Sequence, residues 1–188
     1  MASSSSHRLA IVVMGVCGCG KSSFGEALAA ERGLEFVDGD DLHGEHNIAK
    51  MKRGEPLTDD DRWTWLDNVA AALDDAQRFP RGIVIACSAL RQAYRDRIRA
   101  TAGDLRFVFL DAERELIEAR MQQRRGHFMP QSLVDSQFRT LERPTASETD
   151  VVTIAARLSL DAALKLVEGV GFEPTEDSRP RRFSRPVP

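Results

Sequence analysis

Residues 9–32 impose the strongest constraint on what this chain can fold into. Leu9-Ala10-Ile11-Val12-Val13-Met14 is a short, wholly apolar run, as expected of a parallel strand buried on both faces. Gly15-Val16-Cys17-Gly18-Cys19-Gly20-Lys21-Ser22 follows and fits G-x-x-x-x-G-K-[ST]. Ser22 to Arg32 then offers good helix formers and no proline. Strand, glycine loop and helix, in that order, is the setting in which this pattern marks a phosphate site. Glycines at 15, 18 and 20 permit backbone angles that turn successive N–H groups inward into an anion-binding nest. The helix N-terminus adds partial positive charge. Lys21 can reach the β- and γ-phosphates and the Ser22 hydroxyl can ligate Mg²⁺. The chain is therefore expected to bind a nucleoside triphosphate through Gly15, Val16, Cys17, Gly18, Cys19, Gly20, Lys21, Ser22 and Ser23.

The rest of the composition narrows the class. A chain of 188 residues that is 42% apolar suits one domain with a sizeable core. A net charge of −3 gives no global field favouring nucleic acid or an anionic membrane. The apolar run before the loop is too short to span a bilayer, and no small-residue cleavage site follows it before Lys21, so a cytoplasmic protein with no membrane partner is expected. Three cysteines do not make a disulfide framework. Cys17 and Cys19 read as small loop residues, because no second ligand pair with zinc spacing accompanies them. Lys21 and the helix N-terminus would nonetheless favour their thiolates, which leads to an expectation of unusual reactivity.

Beyond the first helix, strands and helices alternate. Short strands are expected at 35–38, 82–87, 105–110 and 151–154. Helices are expected at 45–53, from Thr58 or Asp59 to about Phe79-Pro80, and at 91–100, 113–125, 132–142 and from Ser159 onward. That alternation implies an α/β protein with a parallel, doubly wound sheet covered by helices on both faces. Residues 1–8 are serine-rich and read as disordered. Residues 9–170 form the domain, and 171–188, rich in proline, arginine and acidic residues, read as a solvated tail.

Asp38 and Asp40 lie at the end of the second strand, where ligands gather in an open α/β sheet. Two carboxylates there can divide the labour, one orienting metal-bound water and the other steering an acceptor hydroxyl. Arg62 and the cluster Arg91, Arg95 and Arg97 could hold an anionic substrate opposite them. Arg120, Arg124 and Arg125, ahead of Gly126-His127-Phe128, form a second basic group that could close over phosphates. His43 and His46 resemble half a metal site but lack further ligands, which favours hydrogen-bonding roles.

A longer string carries a resemblance. After the glycine loop come Asp38-Gly39-Asp40 with Leu42-His43, Asn47, Lys50-Met51, Gly54-Glu55-Pro56-Leu57 and Asp59-Asp60-Asp61-Arg62 with Trp65-Leu66. Cys87-Ser88-Ala89-Leu90 with Tyr94-Arg95-Asp96, and Arg124-Arg125-Gly126-His127-Phe128, complete it. Together they resemble the gluconokinases, in the shikimate-kinase and nucleoside-monophosphate-kinase branch of P-loop proteins, over roughly residues 9 to 169. The resemblance implies ATP-dependent phosphorylation of D-gluconate on its terminal hydroxyl, with Mg²⁺. It implies a five-stranded parallel sheet, a mobile lid near 124–135 and commonly a homodimer. By position it implies that Asp40, Arg62 and Arg95 touch gluconate with His43 nearby, that Asp38 supports Mg²⁺, that Lys21 and Asp40 are catalytic, and that Arg124 is the catalytic lid arginine, with Arg120 also on the nucleotide. The family usually carries serine where this chain has Cys17 and Cys19. A kinase for shikimate or a nucleotide is the nearest alternative. A nucleotide switch, suggested by D-x-x-G at Asp41–Gly44, lacks a guanine-reading segment.

Overall fold

A computed structural model describes residues 9–75, 78–100, 105–123 and 131–169. The expected N-terminal segment, the tail, Arg124 and most of the expected lid lie outside those residues. Five strands form one parallel sheet in the order β2-β3-β1-β4-β5. They are β1 (Leu9–Met14), β2 (Glu35–Asp38), β3 (Gly82–Ala86), β4 (Leu105–Asp111) and β5 (Val151–Ala155). The helices are α1 (Lys21–Arg32), α2 (Glu45–Lys52), α3 (Asp59–Asp74), α4 (Gln92–Arg99), α5 (Arg114–Gln123), α6 (Gln131–Thr140) and α7 (Leu160–Glu168). The three central strands are the mostly buried, mainly apolar ones; the edge strands β2 and β5 are only partly buried.

Side-chain alternation along β1 builds both cores at once. Ile11 and Val13 pack with Phe24, Leu28 and Val167 beneath α1 and α7. Ala10, Val12 and Met14 face the other way and pack with Trp65, Leu66, Leu73, Tyr94 and Ile98 beneath α3 and α4. Because β1 sits between β3 and β4, connections leave its two sides in opposite directions. The carboxyl end of β1 is therefore the sheet's switch point, where an open α/β sheet binds ligands.

Helix α3 stops at Asp74, short of the expected Phe79-Pro80. The Asp75 carboxylate accepts from the Arg78 N–H at 2.9 Å, and this local turn competes with continued helix. At its other end Thr58 caps the helix in a reciprocal capping box with Asp61. Between β2 and α2 lies a 3₁₀ turn, Gly39–Leu42, whose N-cap is Asp38 at the end of the strand.

Arg95 departs from its expected role. Its side chain is 1% exposed, and its guanidinium donates to Glu148 at 2.6 and 2.7 Å and to the carbonyls of Ala89, Leu90 and Glu142. A guanidinium so enclosed ties α4 to the segments around it and keeps no exposed edge for an acceptor. Arg97 is likewise occupied, by Asp67 on α3. Arg95 and Arg99 hold the Glu148 carboxyl down at about 2. Since the folded pKa lies below the ordinary 4.5, this pair contributes stability that is complete above that pH and lost as pH falls toward about 2. Glu148→Gln leaves Arg95 buried without its counter-charge and should cost about 3 kcal/mol, lowering Tm by roughly 6–12 °C in a thermal melt at neutral pH. A Tm within two degrees of wild type would show the guanidinium to be satisfied by carbonyls alone.

Candidate active site

The turn after β1 has the geometry of a phosphate nest. Gly15, Gly18 and Gly20 adopt φ of 143°, 76° and 106°, angles that side chains resist. A Cβ at Gly15 would also lie 2.8 Å from the Leu110 carbonyl oxygen, so both conformation and space require glycine there. Gly20 is the N-cap of α1 and has no side chain to occupy the helix end. Lys21 donates from Nζ to the Val16 carbonyl at 3.1 Å, folded over the loop it would serve.

The loop is braced from outside by two residues. Arg120 on α5 donates to the Cys19 carbonyl at 2.8 Å and to the Ala156 carbonyl at 2.6 Å. Gln137 on α6 accepts from the Cys17 N–H at 2.6 Å. Arg120 was expected near the nucleotide; Gln137 was not anticipated, because a lone glutamine on a polar helix gives no pattern to read. Arg120 also lines a cavity of about 400 Å³ with Gly20, Ser23, Ile154, Ala156 and Leu160, a volume within the range of small-molecule sites.

On the β2 side, Ser22 Oγ donates to Asp38 Oδ2 at 2.8 Å. Asp38 Oδ1 accepts from the Asp40 N–H at 3.1 Å, so one carboxylate joins the helix hydroxyl to the turn that presents the second carboxylate. Gly39 between them is obligatory, since a Cβ there would lie 2.4 Å from the Ala86 carbonyl oxygen. Asp40 opens onto the surface, yet desolvation by neighbouring protein lifts its carboxyl above the ordinary range; Asp38 adds to the lift and Lys21 opposes it.

A short relay carries this geometry to α3. Trp65 Nε1 donates to the Gly39 carbonyl at 2.7 Å, and its ring stacks on His43 with centroids 4.3 Å apart. Burial, and then the charge of Arg62, push the His43 imidazole down to about 4, so it is neutral at physiological pH. Asn47 lies 3.3 Å from its Nδ1. His43 is thus a fixed, uncharged wall, buried beside a 3₁₀ turn of which Gly39 alone is buried; His46 faces solvent beside Asp61.

The thiol expectation is corrected. Cys17 and Cys19 are 9% and 3% exposed, and burial raises the Cys19 thiol despite the nearby Lys21 and Arg120. Burial also pushes Cys87 up to about 12. Iodoacetamide at neutral pH should therefore label the folded protein far more slowly than the denatured chain at all three cysteines, as read by mass spectrometry. Rapid labelling of Cys19 would mean that the loop opens readily.

Hydroxyl and carboxylate meeting at a helix N-terminus beside a glycine nest match the phosphate-loop arrangement of P-loop proteins, on a P-loop kinase fold. Residues 11–144 match the AAA domain family. The chain is 46% identical to the thermosensitive gluconokinase of Escherichia coli, over 76% of this chain and 76% of that one. It is 41% identical to a probable gluconokinase of Schizosaccharomyces pombe, over 79% and 80%. A crystal structure of a gluconokinase from Sinorhizobium meliloti, 46% identical, superposes with a TM-score of 0.75 over 83% of this chain and 87% of that one. The chain belongs to the gluconokinase family.

Proposed function

We propose that the protein transfers the γ-phosphoryl group of ATP to the terminal hydroxyl of D-gluconate, giving 6-phospho-D-gluconate. The observation that carries this reading is the continuous path from Ser22 through Asp38 to Asp40. That path joins the phosphate loop to the turn carrying Asp40, which supports an acceptor-side role for the Asp40 carboxylate. Phosphoryl transfer needs mainly positioning and neutralisation of developing charge. The nest and Lys21 neutralise the β- and γ-phosphates. Asp40 accepts the hydrogen bond of the attacking hydroxyl and takes its proton. Arg120 and the neighbouring cavity hold the nucleoside end, and Arg62 with His43 bounds the sugar acid. Arg124 belongs to the same reading as a lid residue that meets phosphate in the closed state.

A divalent metal fits the donor set. Ser22 Oγ and Asp38 supply hard oxygens at one point, while no cluster of three or more His, Cys, Asp or Glu among the described residues could hold an ion alone. That is the arrangement expected for Mg²⁺, which keeps water and phosphate oxygens and takes only one or two protein ligands. Bound there, it would neutralise phosphate charge. No helix of the described residues is long and apolar enough to cross a membrane. A cytoplasmic homodimer completes the proposal, to be checked by cell fractionation and by sedimentation.

The deciding experiment is a coupled ADP-release assay with Mg²⁺ over gluconate, shikimate and nucleoside monophosphates. Turnover with gluconate at least a hundredfold above the other acceptors is expected. Preference for another acceptor would replace gluconate while keeping the kinase. Acceptor-independent hydrolysis alone would remove the kinase reading.

A further inference from the structure

Four arginines, at 62, 91, 95 and 97, stand where the sequence places a cationic cluster, and the fold sorts them. Arg95 is enclosed around Glu148 and Arg97 is paired with Asp67. Arg62 and Arg91 instead converge on one carboxylate. Arg91 Nη1 donates to Asp59 Oδ2 at 2.5 Å, and Arg62 Nη1 approaches Asp59 Oδ1 at 3.5 Å. The Tyr94 hydroxyl donates to the same Oδ1 at 2.5 Å. Both guanidinium carbons lie 5.8 Å from the centroid of the Tyr94 ring, and Tyr94 is 2% exposed. One buried ring and one carboxylate therefore hold two cations around a single point.

Two guanidiniums on one carboxylate leave an unbalanced positive charge. Among the described residues, Nε and Nη2 of Arg62 and Arg91 make no hydrogen bond, so each fork keeps an edge for an anion. Arg62 is linked to the acceptor side through α3, on which Trp65 stands three residues further along. The Arg62 charge reaches His43, His43 stacks on Trp65, and Trp65 is bonded to Gly39, next to Asp40. Arg91 keeps 39% of its side chain exposed, unlike Arg95.

We propose that Arg91 is the second guanidinium of the acceptor site and, with Arg62, holds the carboxylate of the sugar acid, Asp59 and Tyr94 being the positioning residues that aim both. The assignment rests on the gluconate reading and specifies how that site tells an acid from a neutral polyol. A carboxylate gripped from two sides fixes one end of an extended six-carbon chain, so that its far hydroxyl is the one delivered toward Asp40. The grip is made equally in ground and transition states, so its loss shows mainly in acceptor KM.

The test is steady-state kinetics of Arg91→Ala, Arg91→Lys and Tyr94→Phe. Arg91→Ala should raise the KM for gluconate about 10- to 100-fold, with kcat and the KM for ATP within threefold of wild type. Arg91→Lys, which restores charge but not the fork, should recover part of that loss. Tyr94→Phe keeps the ring and drops the bond to Asp59, and should raise the gluconate KM about three- to tenfold with the ATP KM unmoved. A gluconate KM within threefold of wild type in Arg91→Ala, or gluconate and ATP KM worsening together with a lowered Tm, overturns the proposal. If wild type turns over a different anionic acceptor, the gluconate reading has failed and the same three variants are scored on that acceptor's KM. If wild type prefers a neutral acceptor, both readings fail.

Discussion

Lys21→Ala should reduce turnover by about 10³-fold or more while the protein stays folded. Among the described residues, the one hydrogen bond the ammonium makes is to the Val16 carbonyl within its own loop, so the fold loses little when it is removed. The loop's shape is instead held from outside, by Gln137 on the Cys17 N–H and by Arg120 on the Cys19 carbonyl. What the mutant lacks is a positive charge beside phosphates whose negative charge shifts toward the leaving oxygen during transfer. No backbone N–H can replace it, because the helix end supplies only about half an elementary charge. A thermal melt within about 3 °C of wild type, combined with the loss of single-turnover rate, is the expected pair of results. A folded mutant that retained most of its activity would remove Lys21 from the mechanism. A mutant that failed to fold would make it a structural residue.

The positions that matter divide by how their role is written in the chain. The phosphate nest was fully legible, because every constraint on it is local. Strand, glycines, lysine and helix lie within residues 9–32, and the loop's three positive φ angles fall at its three glycines, two of them named by the pattern. The sheet was legible too, since β1 and β3 are unbroken apolar runs and β4 is apolar but for Arg106 and its closing Asp111. Sequence failed where a side chain's partner lies far along the chain. Arg95 looked like a substrate arginine because basic helices usually face water; only the fold brings up Glu148, 53 residues later, to bury it. Gln137 reaches a peptide 120 residues away. The cysteines were misjudged for a related reason. Proximity to Lys21 is visible in sequence, whereas the burial that outweighs it depends on packing with β4, α5 and α6. Asp59 stands three residues before Arg62, an i,i+3 spacing that was visible, but its second arginine and Tyr94 come from α4 and the residue preceding it.

Asp40→Asn should lower gluconate-dependent kcat by roughly 10² to 10⁴-fold, the usual worth of general-base assistance. Asparagine fits the same turn, because the bond that fixes the turn runs from the Asp40 N–H to Asp38 and uses no atom of the replaced side chain. The mutant therefore keeps its geometry and loses only the ability to take a proton; its amide can also present a donor to the hydroxyl. ATP affinity should change little, since Ser22, Asp38 and the nest are untouched. The pH profile supplies a second, independent readout. Desolvation and then Asp38 hold the Asp40 carboxyl above the ordinary carboxylate range, against the pull of Lys21. As pH falls through that raised pKa the carboxylate is protonated, so kcat/KM for gluconate should decline about tenfold per pH unit on an acid limb lying above the ordinary range. His43 titrates at about 4, so the neutral imidazole adds no inflection near its usual 6.5. Asp40→Asn should erase the acid limb as well as depress the plateau. A mutant that kept the limb at a lower plateau would assign the titration to another group and leave Asp40 an orienting role. A mutant that phosphorylated gluconate at nearly the wild-type rate would take it out of the chemistry altogether.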